Sequence, residues 1–405
     1  MLKRYFLSNK KRNFSTASIW IKGGSDMDST GKKGINKILC SLLTRGCEGF
    51  NNFTLSEYIE SYGAELNQEI FEDGISISIK SLNEHFSKLF PLLDLIINKP
   101  ILSETEFKKV KKSSIDHIKK DKENPFNICF EKWRKIVYSN HPYAFNTIGN
   151  ANDVSKITYE DVLLEFKNFK NREKYLISNN PEINGENFGT LEKIILKEKS
   201  DHLNHNLNTT NRFDYINNDS NQTIIMMGDQ TCSRRSSEYF PLKVLESYLS
   251  YGMSAALFKL FREKHGITYD LGVYYPIRSG NAPFLIYLSV SNDQALFAFE
   301  LLSTLWKNLL LNPLTDAEIF LAKEKLKGSF LLGNQSLDEI LQRKIQLVSY
   351  GISPISENDL NSKIEEISSL DILKLTNKYF SKPFLSISGN KNICLEISNR
   401  WKKNF

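Results

Sequence analysis

The sequence predicts an α+β protein built from two similar domains, each an antiparallel sheet packed with helices. The chain has 405 residues, which is too long for one ordinary hydrophobic core. Its apolar content of 40% and aromatic content of 12% are ample for packed interiors. In both halves, strand patterns come first and runs of helical patterns follow, which favours α+β architecture over alternating βαβ units.

The first predicted domain covers residues 1–197. A strand pattern at 15–22 precedes a helix that begins at Gly34 and ends at Gly46, with an apolar stripe formed by Ile35, Ile38, Leu39, Leu42 and Leu43. Alternating residues at 65–80 predict strands. Helical patterns follow at 84–98, 104–121, 126–138 and 159–169, and an apolar run at 175–177 predicts a closing strand.

Residues 198–222 are rich in Asn, Asp, Thr and Ser and show no sustained apolar period, so we expect an exposed linker there. His202 and His205 lie in this segment at an i, i+3 spacing. Their polar surroundings favour loop residues over metal ligands.

The second predicted domain covers residues 223–405 and repeats the order of the first. It begins with a strand at 223–227. Helices are predicted at 239–250 and 254–265, strands at 267–275 and 283–290, and helices at 293–311, 315–332 and 336–350. The shared order of elements indicates a duplicated fold.

Charge and cysteine content exclude several classes of protein. The net charge of +6 is spread over 53 basic and 47 acidic residues, without the basic and aromatic clusters of a nucleic-acid-binding protein. Five cysteines without a C-x-x-C pair argue against a disulfide framework or a cysteine zinc site and favour a reducing compartment.

Location is predicted from the same chain features. No apolar stretch approaches the ~20 residues that span a bilayer. The first 25 residues lack acids and would suit an organelle transit peptide, but the strand pattern at 15–22 leaves little room for a removable leader. We therefore expect a cytoplasmic protein with no membrane span.

Several motifs resemble the insulinase/pitrilysin/mitochondrial-processing-peptidase family of metallopeptidases. The first half carries SIWIKGGS at 18–25, GINKILCSLLTRG at 34–46, NHPY at 140–143 and Ile148-Gly149. The second half carries Gly252-Met-Ser254 and Leu257-Phe258, followed by Arg262-Glu-Lys-His-Gly-Ile-Thr-Tyr269. The resemblance runs from about residue 15 to about residue 350. It implies the duplicated fold of that family.

The resemblance fails at the zinc ligands. Family members carry H-x-x-E-H on the first helix, whose i, i+3 and i+4 positions share one face so that two histidines bind zinc and the glutamate acts as base. Those positions are Lys37, Cys40 and Ser41 here. Lysine repels a metal, cysteine is a poor substitute for the base, and serine is a weak ligand. We predict no metal site and no catalytic residue in this chain.

The third family ligand is a glutamate in the helix before the Asn124-Pro125 turn. Asp116 or His117 is nearest to its expected place, on a helix so charged that both are more simply surface residues. A stand-alone peptidase with a rearranged metal site is one alternative, against which Lys37 and Ser41 argue strongly.

The second-domain motif keeps its polar pair. The resemblance implies that Arg262 and Tyr269 hold the substrate backbone and stabilise an oxyanion, while Phe258 packs beneath them or lines the cavity. Arg262 lies in the last turn of a helix that Gly266 ends, and Tyr269 lies on the following strand, so chain reversal can bring two donors together. The alternative is that Arg262 caps its helix and Tyr269 is an ordinary strand aromatic.

Missing zinc ligands beside a retained Arg/Tyr pair resemble the pattern of two-subunit family members, and this resemblance implies a non-catalytic subunit of a heterodimeric zinc peptidase. The expected partner carries zinc and an intact H-x-x-E-H, and this chain helps to bind an unfolded peptide substrate. The alternative is a purely structural or interaction subunit, which predicts that Arg262 and Tyr269 are buried and dispensable.

Overall fold

The computed structural model describes residues 2–7, 13–180, 189–190, 211–218, 220–333, 336–353 and 359–405. The strands are β1 (Leu2–Phe6), β2 (Phe14–Lys22), β3 (Gly46–Cys47), β4 (Phe50–Asn51), β5 (Glu65–Ile70), β6 (Gly74–Leu82), β7 (Lys174–Ser178), β8 (Gly189–Thr190), β9 (Phe213–Asn217), β10 (Gln222–Gln230), β11 (Thr268–Tyr274), β12 (Pro283–Ser291) and β13 (Phe384–Gly389).

The α-helices are α1 (Ile35–Leu43), α2 (Asn52–Ser61), α3 (Asn83–Leu89), α4 (Pro91–Asn98), α5 (Glu104–Asp121), α6 (Pro125–Tyr138), α7 (Ala151–Lys156), α8 (Tyr159–Lys170), α9 (Tyr239–Ser250), α10 (Ala295–Leu311), α11 (Asp316–Leu332), α12 (Leu337–Ser349), α13 (Leu360–Glu365), α14 (Ser369–Phe380) and α15 (Lys391–Asn404). A π-helix spans Phe258–Lys264. Among the described residues, no helix combines the length and apolar character needed to cross a bilayer.

Two sheets share one topology. The larger sheet runs β5-β6-β2-β7-β1-β8, and the second runs β11-β12-β10-β13-β9. Neighbouring strands from β5 to β7 in the larger sheet, and from β11 to β13 in the second, pair antiparallel. The early strand of each half, β1 or β9, pairs parallel with the late strand, β7 or β13. The α+β class and the duplication predicted from sequence are confirmed, with the difference that each sheet ends in parallel pairs.

The two compact units are each assembled from three stretches of chain. The first contains residues 1–120, 145–200 and 333–358, and the second contains residues 121–144, 201–332 and 359–405. Helix α6 packs on β10 and β13, while α12 packs on β2 and β7. Each helix therefore belongs to the unit whose sheet it covers, although it comes from the other half of the sequence. The prediction of one contiguous stretch per domain omits this exchange, because an amphipathic pattern does not say which sheet a helix covers.

The predicted linker at 198–222 is wrong over part of its length. Residues 213–217 form β9, which pairs parallel with β13, and Phe213 and Tyr215 pack against the apolar core of the second unit. The alternation of these residues is short and is surrounded by Asn and Asp, so it carries little periodic signal. The stretch that holds His202 and His205 lies outside the described residues.

Each unit has its own core beneath its sheet. In the first, the apolar stripe of α1 packs with Ile75, Ile77 and Ile79 of β6. In the second, α9, α10 and α14 pack on β10, β12 and β13. The predicted helix at 84–98 is divided into α3 and α4 at Pro91, whose ring suits the first turn of a helix but not its interior.

Candidate functional site

Helix α1, which carries the positions of the family's zinc motif, is fixed at its N-terminus by a remote carboxylate. Asp28 accepts hydrogen bonds from the backbone N–H groups of Gly34 (2.7 Å) and Asn36 (3.1 Å) and from Nδ2 of Asn36 (2.8 Å). These bonds satisfy donors that a helix leaves unpaired at its start. Burial raises the pKa of the Asp28 carboxyl to about 6, and the hydrogen bonds from Gly34 and Asn36 oppose that rise.

A buried arginine, Arg172, connects α1 to neighbouring segments of the first unit. The side chain of Arg172 is 7% exposed and forms an ion pair with Glu165. Its guanidinium also donates to Oδ1 of Asn36 (2.9 Å) and to the carbonyl of Gly23 (2.9 Å). Burial lowers the pKa of Arg172, against the attraction of the neighbouring carboxylates. The Arg172 guanidinium therefore links the start of α1, the turn after β2 and helix α8.

Two glycines let the backbone pack closely at the start of α1. Gly34 and Gly149 both have positive φ, and a Cβ atom on Gly149 would lie 2.2 Å from the carbonyl oxygen of Lys33. The Ile148-Gly149 motif found in the sequence is thus a structural contact of α1.

The zinc-motif positions of α1 do not form a metal site. Lys37 and Ser41 are half-buried, and Cys40 is 0% exposed within the apolar core of the first unit. Burial raises the pKa of the Cys40 thiol to about 12, against a smaller lowering by Lys37. A neutral thiol in an apolar core is neither a metal ligand nor a base at neutral pH.

The two candidates for a third metal ligand lie on the exposed face of their helix. Asp116 and His117 are exposed on α5, whose buried face is formed by Phe107, Val110 and Ile118. Within the described stretches of the chain, no group of three or more His, Cys, Asp and Glu residues could hold a metal ion. The residues present do not fit the zinc that the family implies.

Glu106 is the buried carboxylate of α5, and its partners are two basic side chains. Glu106 accepts a hydrogen bond from Arg45, just beyond α1 (2.9 Å), and another from Lys109 (2.7 Å). Hydrogen bonds from Lys109 and Arg45 lower its pKa. Glu106 therefore anchors the end of α1 to α5 through ion pairs.

The second motif begins on the π-helix rather than on the ordinary α-helix predicted over 254–265. Phe261 is fully buried and anchors this helix in the core of the second unit. Gly266, with φ 62°, reverses the chain, and its N–H donates to the carbonyl of Arg262 (3.2 Å). π-Helical turns are rare and occur frequently at functional sites.

The structure brings Arg262 and Phe258 together. The guanidinium carbon of Arg262 lies 5.2 Å from the centre of the Phe258 ring, which is a cation–π contact. Phe258 is half-buried and Arg262 is exposed. Among the described residues, no side chain or backbone carbonyl forms a hydrogen bond or ion pair with this guanidinium, so helix capping does not occupy it.

Tyr269 occupies an irregular position in β11. Thr268 pairs with Val290 and Asp270 with Ser289, which leaves Tyr269 as an extra residue on its strand. The Thr268 hydroxyl lies 2.6 Å from the carbonyl oxygen of Ser289 and 2.9 Å from that of Asp270. Bulges of this kind commonly re-aim a side chain beside an active site. The predicted meeting of phenol and guanidinium depends on a side chain outside the described part of the structure.

Asp28 and Arg172 were not predicted from the sequence as residues that position α1. Asp28 lies six residues before Gly34, the N-cap residue of α1, which is beyond the usual N-cap spacing, and Arg172 reaches α1 from a distant stretch of sequence. The one local signal is the lack of a capping side chain at Gly34, which implies that a remote group satisfies the helix start.

Comparisons with known proteins agree with this fold. The family model described as "Insulinase (Peptidase family M16)" matches residues 4–151, and "Peptidase M16 inactive domain" matches residues 181–326. An uncharacterized zinc protease of Rickettsia felis is 24% identical over 370 residues, covering 89% of this chain and 88% of that protein. The uncharacterized zinc protease YmxG of Bacillus subtilis is 22% identical over 412 residues, covering 96% and 99%.

Solved structures share the fold. A Pseudomonas fluorescens protein described as a peptidase M16 inactive domain superposes with a TM-score of 0.83 at 19% identity, covering 96% of each chain. A protease from Helicobacter pylori superposes with a TM-score of 0.81 at 16% identity, covering 95% of this chain and 96% of the other. With both family models matched in order, this chain belongs to the insulinase family of peptidases, family M16.

Proposed function

We propose that this chain is a non-catalytic M16 subunit that helps a zinc-bearing partner to hold an unfolded peptide during proteolysis. The observation that carries the proposal is the state of Cys40, which stands where the family has its glutamate base. Cys40 is fully buried in the core and its thiol stays protonated at neutral pH. Helix α1 therefore supplies packing, and under this proposal the chemistry comes from another chain.

The Arg262 side chain supports a role toward a substrate. Its guanidinium is exposed, has a fixed neighbour in Phe258, and is not used by a described carboxylate. A stacked guanidinium loses less rotamer freedom when it binds than a free one does. It can donate two parallel hydrogen bonds to a peptide carbonyl or to the negative charge that develops on its oxygen.

A purely structural subunit remains the competing function. That reading predicts a buried Arg262 that forms part of the fold. The exposure of Arg262 favours a contact with a ligand instead. The bulge at Tyr269 also favours the peptide-binding role, since a bulge in a strand weakens pairing and is more often kept where it directs a side chain.

The test is a reconstituted complex with a family partner that carries an intact H-x-x-E-H, assayed on an unfolded peptide. Arg262→Ala or Tyr269→Phe should leave assembly intact and lower kcat by about 100- to 1,000-fold, roughly 2.7–4 kcal/mol, as for other oxyanion donors. Arg400→Ala is the matched control, because Arg400 is a partly exposed arginine of the same unit that pairs with Glu300 and Glu396 on the surface.

Assembly is checked separately by size-exclusion chromatography. Unchanged turnover in a fully assembled Arg262→Ala complex would reject the catalytic-support role and leave the structural subunit as the better description. An equal loss in Arg400→Ala would show that the effect is not specific to the motif.

A further inference from the structure

The second unit contains a cavity of about 330 Å³ beside the π-helix. Its walls are apolar, formed by Leu260, Leu305 and Leu321 with two alanines. Three lysines line the same cavity: Lys259 and Lys264 from the π-helix and Lys325 from α11. We call this feature the lysine pocket. Arg262 and Phe258 do not line it, so it is separate from the motif discussed above.

None of the three lysines of the pocket forms a salt bridge with a described residue, although Lys259 is close enough to the carboxylate of Glu318 to help lower its pKa. Among the described residues, none of their ammonium groups forms an ion pair or a hydrogen bond. Two other lysines of α11 do form ion pairs, since Lys323 and Lys327 both pair with Glu365. Ammonium groups that line one cavity repel each other.

One carboxylate lies in the pocket wall and does not neutralise it. Glu318 accepts hydrogen bonds from the Tyr248 hydroxyl (3.0 Å) and from the backbone (2.9 Å) and hydroxyl (2.8 Å) of Thr315. Burial alone would raise the pKa of Glu318, but these hydrogen bonds, followed by the positive charge of Lys259, lower it, so the group is anionic. Three cations and one anion leave an excess of two positive charges.

The titration of Lys325 agrees with this arrangement. Burial, followed by the positive charge of Lys259, lowers its pKa. The two ammonium groups from separate helices are therefore close enough to repel each other. An anion bound between them would remove that repulsion.

A cavity in the first unit also has basic residues in its lining. It measures about 370 Å³, and its basic lining residues are Arg4, Lys170 and Lys174. The ammonium of Lys174, however, donates to the carbonyls of Phe169 (3.1 Å), Lys170 (2.7 Å) and Arg172 (3.2 Å) at the end of α8. That lysine caps a helix, whereas those of the lysine pocket have no such role.

We propose that the lysine pocket binds a small amphiphilic oxyanion, a phosphate or carboxylate carried on an apolar stem. The charged head would lie between Lys259 and Lys325, and the stem would contact the leucine walls. The volume lies at the lower end of the range for small-molecule sites. Lysine suits this head group because it binds oxyanions as a compact point charge without requiring planar geometry.

Isothermal titration calorimetry on the full chain tests the proposal with hexyl phosphate, hexanoate, inorganic phosphate and hexanol as probes. At least one of the two amphiphilic anions should bind, more tightly than inorganic phosphate and than hexanol, and more weakly as salt rises. The stronger of hexyl phosphate and hexanoate identifies the head group.

Lys259→Gln and Lys325→Gln should each weaken binding at least tenfold, because each removes one charge-assisted contact. Lys307→Gln is the matched control, since its ammonium bonds Asn404 away from the pocket and its loss changes net charge equally. The proposal is overturned if neither anion binds, if hexanol binds equally well, if inorganic phosphate binds as tightly as the amphiphiles, or if the control weakens binding as much. The readout is binding, so it stands apart from any peptidase assay.

Discussion

Replacing Cys40 with the glutamate of the family motif tests whether α1 has been repacked as a core helix. Cys40 is 0% exposed and lies among apolar side chains. A glutamate there has to be protonated to stay in the core. From an ordinary pKa of about 4.3, protonation at pH 7 costs about 1.36 × 2.7, or roughly 3.7 kcal/mol, if the folded pKa rises above 7.

The same reasoning fixes the pH dependence. At pH 5 the protonation cost falls to about 1 kcal/mol, so the variant should recover about 2.7 kcal/mol relative to pH 7. The sign follows from a raised folded pKa: stability is fully present below the unfolded pKa of about 4.3 and is lost as pH rises toward the folded value. Cys40→Gln is the comparator, since glutamine has nearly the shape of glutamate and does not titrate.

Urea denaturation of Cys40→Glu and Cys40→Gln at pH 5, 6 and 7 measures the gap between them. We expect Cys40→Glu to be less stable than Cys40→Gln by about 3–4 kcal/mol at pH 7 and by about 1 kcal/mol at pH 5. A gap that stays below about 0.5 kcal/mol across this range would refute the reasoning. It would mean that the introduced glutamate ionises freely, either in water or against Lys37, and that this face of α1 is still open as a site.

Two further predictions concern the cap of α1 and the second-unit motif. Asp28→Ala should lower the free energy of unfolding by about 2–4 kcal/mol, because it leaves buried N–H groups of Gly34 and Asn36 unpaired. Asp28→Asn should lose about half as much, because its amide oxygen replaces only one of the two accepting oxygens. Thermal denaturation distinguishes them, and equal losses would contradict this account of the cap. In the reconstituted complex, the double variant of Arg262 and Tyr269 should lose less activity than the product of the single losses, because both donors would serve one charge; a fully multiplicative loss would indicate independent roles.

Strongly periodic elements were predictable from the sequence. The stripe of α1, the alternation of β6 and the helix at 239–250 all appear as predicted, because each buries one face against a sheet. The family motifs lie within the two segments that the family models match, residues 4–151 and 181–326. At the zinc-motif positions of α1, Cys40 is buried in the core.

The remaining features depend on contacts that a local pattern does not contain. Helices α6 and α12 have ordinary amphipathic sequences, and only the assembled sheets determine that each covers the other half's sheet. Strand β9 is short and polar and acquires its form from pairing with β13. The π-helix differs from an α-helix by its hydrogen-bond register, which hydrophobic periodicity over seven residues does not resolve.

The lysine pocket was also beyond sequence reasoning. Lys259 and Lys325 are separated by more than sixty positions and stand on helices with many other charges. Only the fold shows that they meet over apolar walls while their neighbours on α11 are paired.

The most direct test of the central claim is the zinc content of the purified chain, measured by elemental analysis after exposure to excess zinc and desalting. We expect far less than one zinc per chain and no peptide cleavage by the isolated protein, because Lys37, Cys40 and Ser41 provide no ligand set. About one tightly held zinc per chain, removed by a chelator together with peptidase activity, would contradict it.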